Sequence, residues 1–222
     1  MYTIYKTRPI PEKYSFLYGT EFYPLYFNKL GEYIFITFTI NKKLYISIRG
    51  DIPDVEILKN SLFSKVKMIL DRHNSCNVHE IPLRYLELSY RDIKSQIDSF
   101  LNLYPDGTIE FCGYSSGGSV AVLATVKFQY LYPFNIFHCT TFGSFKPGGH
   151  SLRSQINSFP GRIQNYVLMG DKISSLPPDD QGYVMPKIAI ISKSRCFELM
   201  NREKKYRLKD YLDSMSNCRF VV

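Results

Sequence analysis

The stretch Gly113-Tyr114-Ser115-Ser116-Gly117-Gly118 limits more than any other what this chain can fold into. A β-rich run precedes it, Thr108-Ile109-Glu110-Phe111-Cys112, and a compact apolar run follows, Ser119-Val120-Ala121-Val122-Leu123-Ala124-Thr125-Val126. A strand that passes through G-x-S-x-G into a helix makes a tight turn, which lifts the central serine above the C-terminal edge of a sheet. Ser115 is that serine. Glycine is needed at 113 and 117 because a Cβ at either position would crowd the helix against the strand. The backbone N–H of Ser116, at the helix start, faces the place where an oxyanion would develop. The motif alone leaves one alternative open, a glycine-rich turn that only packs a helix onto a sheet.

The rest of the chain supplies strands and helices in alternation. Tyr33–Ile40 and Leu44–Ile48 flank a short polar turn and predict an antiparallel hairpin that ends at Arg49-Gly50-Asp51. The spacing of Leu58, Leu62, Val66 and Ile69 predicts a helix from Asp54 to about Asp71, packed on the sheet. A second helix is expected from Leu88 to Tyr104, stopped by Pro105-Asp106-Gly107. After the serine turn, Asn135–Gly143 and Ile163–Met169 read as strands, Tyr183–Ser192 and Arg195–Leu199 as a late β pair, and Arg202–Ser216 as a closing helix. Residues 1–30 show no clear periodicity and are expected to wrap irregularly. With no linker and no internal repeat, residues 1–222 are expected to form one α/β domain. Its core would be a mostly parallel central sheet with helices on both faces and an N-terminal antiparallel hairpin.

Composition excludes several classes. Hydrophobic residues make up 45% and charged residues 22% of the 222, the balance of an ordinary globular protein. No apolar run approaches the ~18 residues that span a bilayer, and the N-terminus lacks a signal-peptide core, so an intracellular, soluble protein is expected. The five cysteines form no C-x-x-C pair and no metal-ligand spacing. Net charge is +8, with seven Lys or Arg against two Glu between Lys193 and Lys209. That run reads as the solvated side of a helix rather than a specific nucleic-acid site, since no recognition motif accompanies it.

A serine on such a turn needs a base within hydrogen-bond reach, and that base needs a carboxylate to hold it. Asp171 stands just past the Ile163–Met169 strand, in the chain order serine, then acid, then histidine. At this point the pattern resembles the class 3 (fungal-type) lipases, which have the α/β-hydrolase fold. Arg49-Gly50 is similar to that family's R-G-[ST], and Val78-His79 to its V-H-x-G-F, without the Gly and Phe. Gly113–Gly118 resembles G-H-S-L-G-G. Thr141-Phe-Gly-Ser144 resembles T-F-G-S-P, with Phe145 in place of proline. Asp171-Lys-Ile-Ser-Ser-Leu-Pro-Pro178 resembles the D-x-V-P-x-L-P-P that carries the triad aspartate. The likeness extends over residues 33–212.

The resemblance implies Ser115 as nucleophile, Asp171 as triad acid, Ser116 with residue 51 as oxyanion-hole donors, and residues 54–75 as a mobile lid in place of a helix packed on the sheet. It also exposes two departures. No histidine follows Asp171, because the four are His73, His79, His138 and His150. The family's H-x-x-x-x-Tyr-Leu is matched by Tyr206–Leu212, which puts Tyr206 where the triad histidine belongs. A phenol with a reference pKa near ~10 is a poor base at neutral pH. Asp51 replaces the Ser or Thr of R-G-[ST], placing a carboxylate where negative charge would develop. Two functions are therefore expected to compete. One is a catalytically degenerate lipase-like protein acting as a structural or interaction component with a protein partner. The other is a serine esterase or lipase acting on a lipid or acyl ester with a relocated base, for which His150, in the loop beyond the Phe142-Gly143 strand end, is the candidate. Neither requires a cofactor or a metal.

Overall fold

The structure, a computed structural model, describes residues 21–22, 26–27, 33–50, 64–171, 173–185, 188–191 and 210–211. Twelve strands among these residues form two sheets. The larger runs in the order β1 (Glu21–Phe22), β3 (Tyr33–Ile40), β4 (Lys43–Ile48), β7 (Thr108–Tyr114), β8 (Phe137–Phe142), β10 (Ile163–Leu168) and β12 (Ile188–Ile191), with β2 (Tyr26–Phe27) also on β3. From β4 to β12 every neighbour is parallel, whereas β1, β2 and β4 meet β3 antiparallel. The expected hairpin is β3–β4, closed by Asn41 and Lys42, both at positive φ (49° and 58°). That backbone matches the right-handed twist of the strands it joins.

Why the centre is parallel follows from its helices. The 24-residue α1 (Glu80–Leu103) returns the chain to the start of β7, and the 16-residue α2 (Ser116–Leu131) to the start of β8. Ile81, Leu86, Ile93, Ile97 and Phe100 of α1 are buried at helical spacing. In α2 every residue from Ser116 to Val126 is buried, so this helix is enclosed on all sides rather than amphipathic. Both pack on the sheet face that presents Leu44, Ile46, Ile109, Phe111, Phe137 and Cys139, and this is the main core. The opposite face presents Tyr114, Phe142 and Tyr166, and Tyr211, in helical backbone, packs against them.

The second sheet, β11–β9–β6–β5, is absent from the sequence reading. It holds β5 (Lys65–Ile69), β6 (Ser75–His79), β9 (Gly148–Gly149) and β11 (Tyr183–Val184), all antiparallel. This corrects the helix expected to Asp71: residues 65–69 are a strand paired with β6, while 51–63 lie outside the described residues. Lys65, Lys67 and Ile69 face outward, Val66 and Met68 inward, a period of two that pairing with β6 selects over the helical spacing. The α1 helix also starts at Glu80, eight residues before the position expected, because His79 caps it: its Nδ1 accepts from the Ile81 N–H at 3.2 Å. The late β pair is corrected too. β11 pairs with β9 and β12 with β10, and residues 195–199 lie outside the described residues. Of the closing helix, only 210–211 are described, and both are helical. The third helix, α3 (His150–Asn157), packs against β6, β9 and β11.

Candidate active site

Ser115 stands between β7 and α2 with φ 54° and ψ −125°. A non-glycine residue holds that backbone only where its surroundings over-determine it, at a cost of about 1–3 kcal/mol. Here the surroundings are glycines packed without room for a Cβ. One built on Gly113 would meet the Gly117 carbonyl oxygen at 2.4 Å, and one on Gly117 the carbonyl oxygens of Arg49 and Ile48 at 2.4 and 2.5 Å. The helix therefore lies directly against the ends of β4 and β7. The Ser115 N–H donates to the Phe142 carbonyl at 2.9 Å, tying the turn to the C-terminal end of β8. Ser116 follows as the first residue of α2, buried, and its hydroxyl donates to the Gly50 carbonyl.

The parallel register carries Asp171 to the same edge. Tyr114 of β7 pairs with Phe142 of β8, which pairs with Tyr166 of β10, and Asp171 lies three residues beyond the end of β10. Gly143 directly follows the Phe142 that bonds Ser115, and a Cβ there would stand 2.7 Å from Asp171 Oδ2 and 2.5 Å from the Tyr211 hydroxyl. With φ 54° as well, Gly143 is a position that only glycine fills without strain. Asp171 accepts from the Ile173 N–H at 3.0 Å through Oδ1, and from the Tyr211 hydroxyl through Oδ2. The structure thus brings Ser115, Ser116, Gly143 and Asp171 to one edge.

Tyr211 was not singled out as a site residue from the sequence, although it is the tyrosine of the H-x-x-x-x-Tyr-Leu match. It is fully buried, and the Leu168 N–H donates to its hydroxyl at 3.3 Å. Burial first, and then the bond to Asp171, push its phenol far above the ordinary range. It is a proton donor to Asp171 and is no base. Tyr206 and Asp51, the two departures from the family motif, lie outside the described residues.

All four histidines are described. His79 is the α1 cap, fully buried and edge-on to Phe145 at 5.4 Å. His73 is exposed in the β5–β6 turn, where its N–H donates to Asp71 Oδ1. His150, the candidate base, opens α3 beside the small sheet and is exposed. His138 lies on β8 across from Glu110, and its Nδ1 accepts from the Arg162 N–H at 3.0 Å. Burial lowers the His138 pKa below its ordinary value, with Glu110 opposing and Lys43 and Arg162 reinforcing. Because the folded pKa lies below the unfolded one of ~6.5, His138 supports the fold fully above that pH, and the support is lost as pH falls through the folded value. Melting temperature should therefore fall from pH 7 toward pH 5, and His138→Gln should flatten part of that slope.

The loop that carries Asp171 is clasped from behind by Lys146. Its ammonium, 7% exposed as a residue, donates to the carbonyls of Ser175 and Pro177 at 2.9 Å each and to Asp179 Oδ1 at 2.6 Å, and its N–H to the Leu176 carbonyl at 2.7 Å. All three ammonium donors are used. Lys146→Met should destabilise the protein by about 2–4 kcal/mol in urea unfolding, since two carbonyls lose their partner while the backbone bond remains. Among the described residues no group of three or more His, Cys, Asp or Glu is placed to hold a metal, and no helix is long and apolar enough to cross a membrane.

A parallel sheet carrying a strained serine turn at its C-terminal edge, with an acid after a later strand on that edge, defines an α/β-hydrolase fold. Residues 45–181, more than half of the chain, match the class 3 lipase model, and the chain belongs to that family. The solved lipase of Rhizopus microsporus var. chinensis superposes with a TM-score of 0.66 at 20% identity, over 78% of this chain and 61% of that one. Lipase II from Rhizopus niveus gives 0.69 at 18%, over 78% and 66%. The triacylglycerol lipase of Penicillium expansum gives 0.66 at 14%, over 78% and 70%. At these identities the likeness is one of fold, and the chain spans less than two thirds of either Rhizopus enzyme. No match is found among curated proteins.

Proposed function

We propose that this protein is a lipase-fold component that has lost ester hydrolysis and serves as a structural or interaction element with a protein partner. The observation that carries this reading is the position of the histidines. A triad needs an imidazole between serine and acid. His73, His79, His138 and His150 are engaged at or exposed on other parts of the fold, and none follows Asp171 in the chain. The donors that Asp171 does accept, a backbone amide and a buried phenol, cannot take a proton from a serine. By the motif alignment Asp51 stands where the family has Ser or Thr, which would add a carboxylate near the proposed oxyanion position.

One observation favours the second reading, an active esterase acting on lipid acyl esters through Ser115. The serine keeps its strained backbone although a glycine would relieve it. Hydrolysis of short-chain p-nitrophenyl esters and of emulsified triacylglycerol separates the two. The first reading expects rates at neutral pH indistinguishable from those of Ser115→Ala. Turnover by the unmodified protein that Ser115→Ala abolishes would establish the second, and loss of that turnover in His150→Ala as well would identify the relocated base.

A further inference from the structure

Seven large apolar side chains of the described residues are exposed, and four of them stand at one end of the molecule: Leu103 (69% exposed), Leu131, Phe134 (98%) and Ile136. That end is the N-terminal edge of the parallel strands, opposite Ser115. Leu103 closes α1 before the turn into β7, Leu131 closes α2, and Phe134 and Ile136 lie in the link to β8. Phe134 does not sit in a loose loop. Gln129 Nε2 donates to the carbonyls of Tyr132 and Asn135 at 3.4 and 2.8 Å, and Asn135 Nδ2 donates to the Pro105 carbonyl at 2.8 Å. The Tyr132 hydroxyl donates to Asp98 at 2.5 Å, and its ring stacks on Phe137 at 6.0 Å. The link is thus fastened by four hydrogen bonds and a ring stack while its largest apolar side chain is held out in water.

The surroundings indicate what would cover it. Lys42, exposed at the β3–β4 turn, lies at this end because its carbonyl accepts from the Thr108 N–H at 3.3 Å. Arg162, exposed before β10, lies there because the Cys139 N–H donates to its carbonyl and Gly161 abuts the Phe137 carbonyl. Asp106 is the exposed carboxylate of the α1–β7 turn. Half-buried Tyr104 and Tyr132 stand behind the apolar tip. A fixed, convex aromatic tip with aliphatic neighbours, tyrosines behind it and cations at its sides suits a soft apolar medium with an anionic surface. A rigid protein partner would instead need a matching pocket. The net charge of +8 draws the whole chain toward such a surface.

We propose that this end, led by Phe134 and flanked by Lys42 and Arg162, docks peripherally on an anionic lipid bilayer. The serine edge then faces away from the bilayer. This attachment does not depend on whether Ser115 reacts.

Sedimentation with sucrose-loaded vesicles tests it, using phosphatidylcholine alone and phosphatidylcholine mixed with phosphatidylserine, at low and high salt. The unmodified protein should bind the mixed vesicles and leave them as salt rises. Phe134→Ser should weaken binding about tenfold or more, and Lys42→Glu about tenfold. Leu88→Ser, an exposed apolar position on α1, should leave it unchanged, and all three variants should keep the parent melting temperature. No binding to the mixed vesicles, or binding that Phe134→Ser leaves intact, would overturn the proposal. So would a concentration-dependent dimer in gel filtration that Phe134→Ser dissociates, since a second copy would then be what covers this end.

Discussion

Gly117→Ala should destabilise the protein by about 3 kcal/mol or more, among the largest effects of any single methyl group in this chain. The added carbon would stand 2.4–2.6 Å from the carbonyls of Ile48 and Arg49. These are main-chain atoms at the end of β4, held by parallel pairing to β7 from Lys43↔Thr108 to Ile48↔Gly113, so they cannot step aside as a flexible side chain would. Either α2 lifts off the sheet or the β4–β7 pairing opens. Both expose a helix that is buried on all sides. Equilibrium urea unfolding measures the loss. A cost below about 1 kcal/mol would mean that the helix does not sit as tightly on the strands as the geometry requires. The neighbouring Ser115→Gly should act in the opposite direction, raising stability by about 1 kcal/mol, because φ 54° with ψ −125° is open to glycine and costly for serine.

The second large effect concerns chemistry. Tyr206→His combined with Asp51→Ser should raise esterase activity about 10²-fold or more over the unmodified protein, the scale on which a positioned general base acts. Imidazole would replace a phenol, a side chain whose reference pKa near ~10 makes it a poor base at neutral pH, and a hydroxyl would replace the carboxylate that the motif alignment puts at the oxyanion position. Both positions follow from motif alignment. The described Tyr211, five residues beyond Tyr206 in the sequence, donates its hydroxyl to Asp171. Initial rates of p-nitrophenyl butyrate hydrolysis measure the gain, with Ser115→Ala in the same background as control. A rate unchanged from the parent, in a variant that keeps the parent melting curve, would show that Tyr206 does not occupy the base position.

The parts of the fold that could be read from the sequence are those where local chemistry and tertiary need coincide. Glycines at 113 and 117 exist to let α2 meet the strands, so the motif announced its own geometry. The strands at 33–48, 108–114, 137–142 and 163–168 carry β-branched and aromatic runs between turn residues. What was missed depends on partners distant in sequence. Lys65–Ile69 fits helical spacing through Val66 and Ile69 as well as it fits alternation. Only pairing with Ser75–His79, out of sight in a linear reading, decides between them. The two-residue strand Gly148–Gly149 carries no propensity signal and exists because Val78 and the Tyr183–Val184 backbone lie on either side of it. The site shows the same division. Ser115 and Asp171 were marked by their motifs, whereas the contact of Tyr211 with Asp171 depends on a segment forty residues away folding onto the sheet. His150 opens α3 seven residues beyond Gly143, directly after the Gly148–Gly149 strand of the small sheet.

Fluorophosphonate labelling tests most directly whether Ser115, on its strained turn, is kept without a working base. An activated serine attacks phosphorus rapidly at neutral pH because a neighbouring base takes its proton, whereas an unassisted hydroxyl does not. Intact mass spectrometry after incubation with a fluorophosphonate at pH 7 should find no adduct on the unmodified protein, with the spectrum matching that of Ser115→Ala. Stoichiometric labelling at Ser115, absent in Ser115→Ala, would contradict the account and identify the protein as an active serine hydrolase.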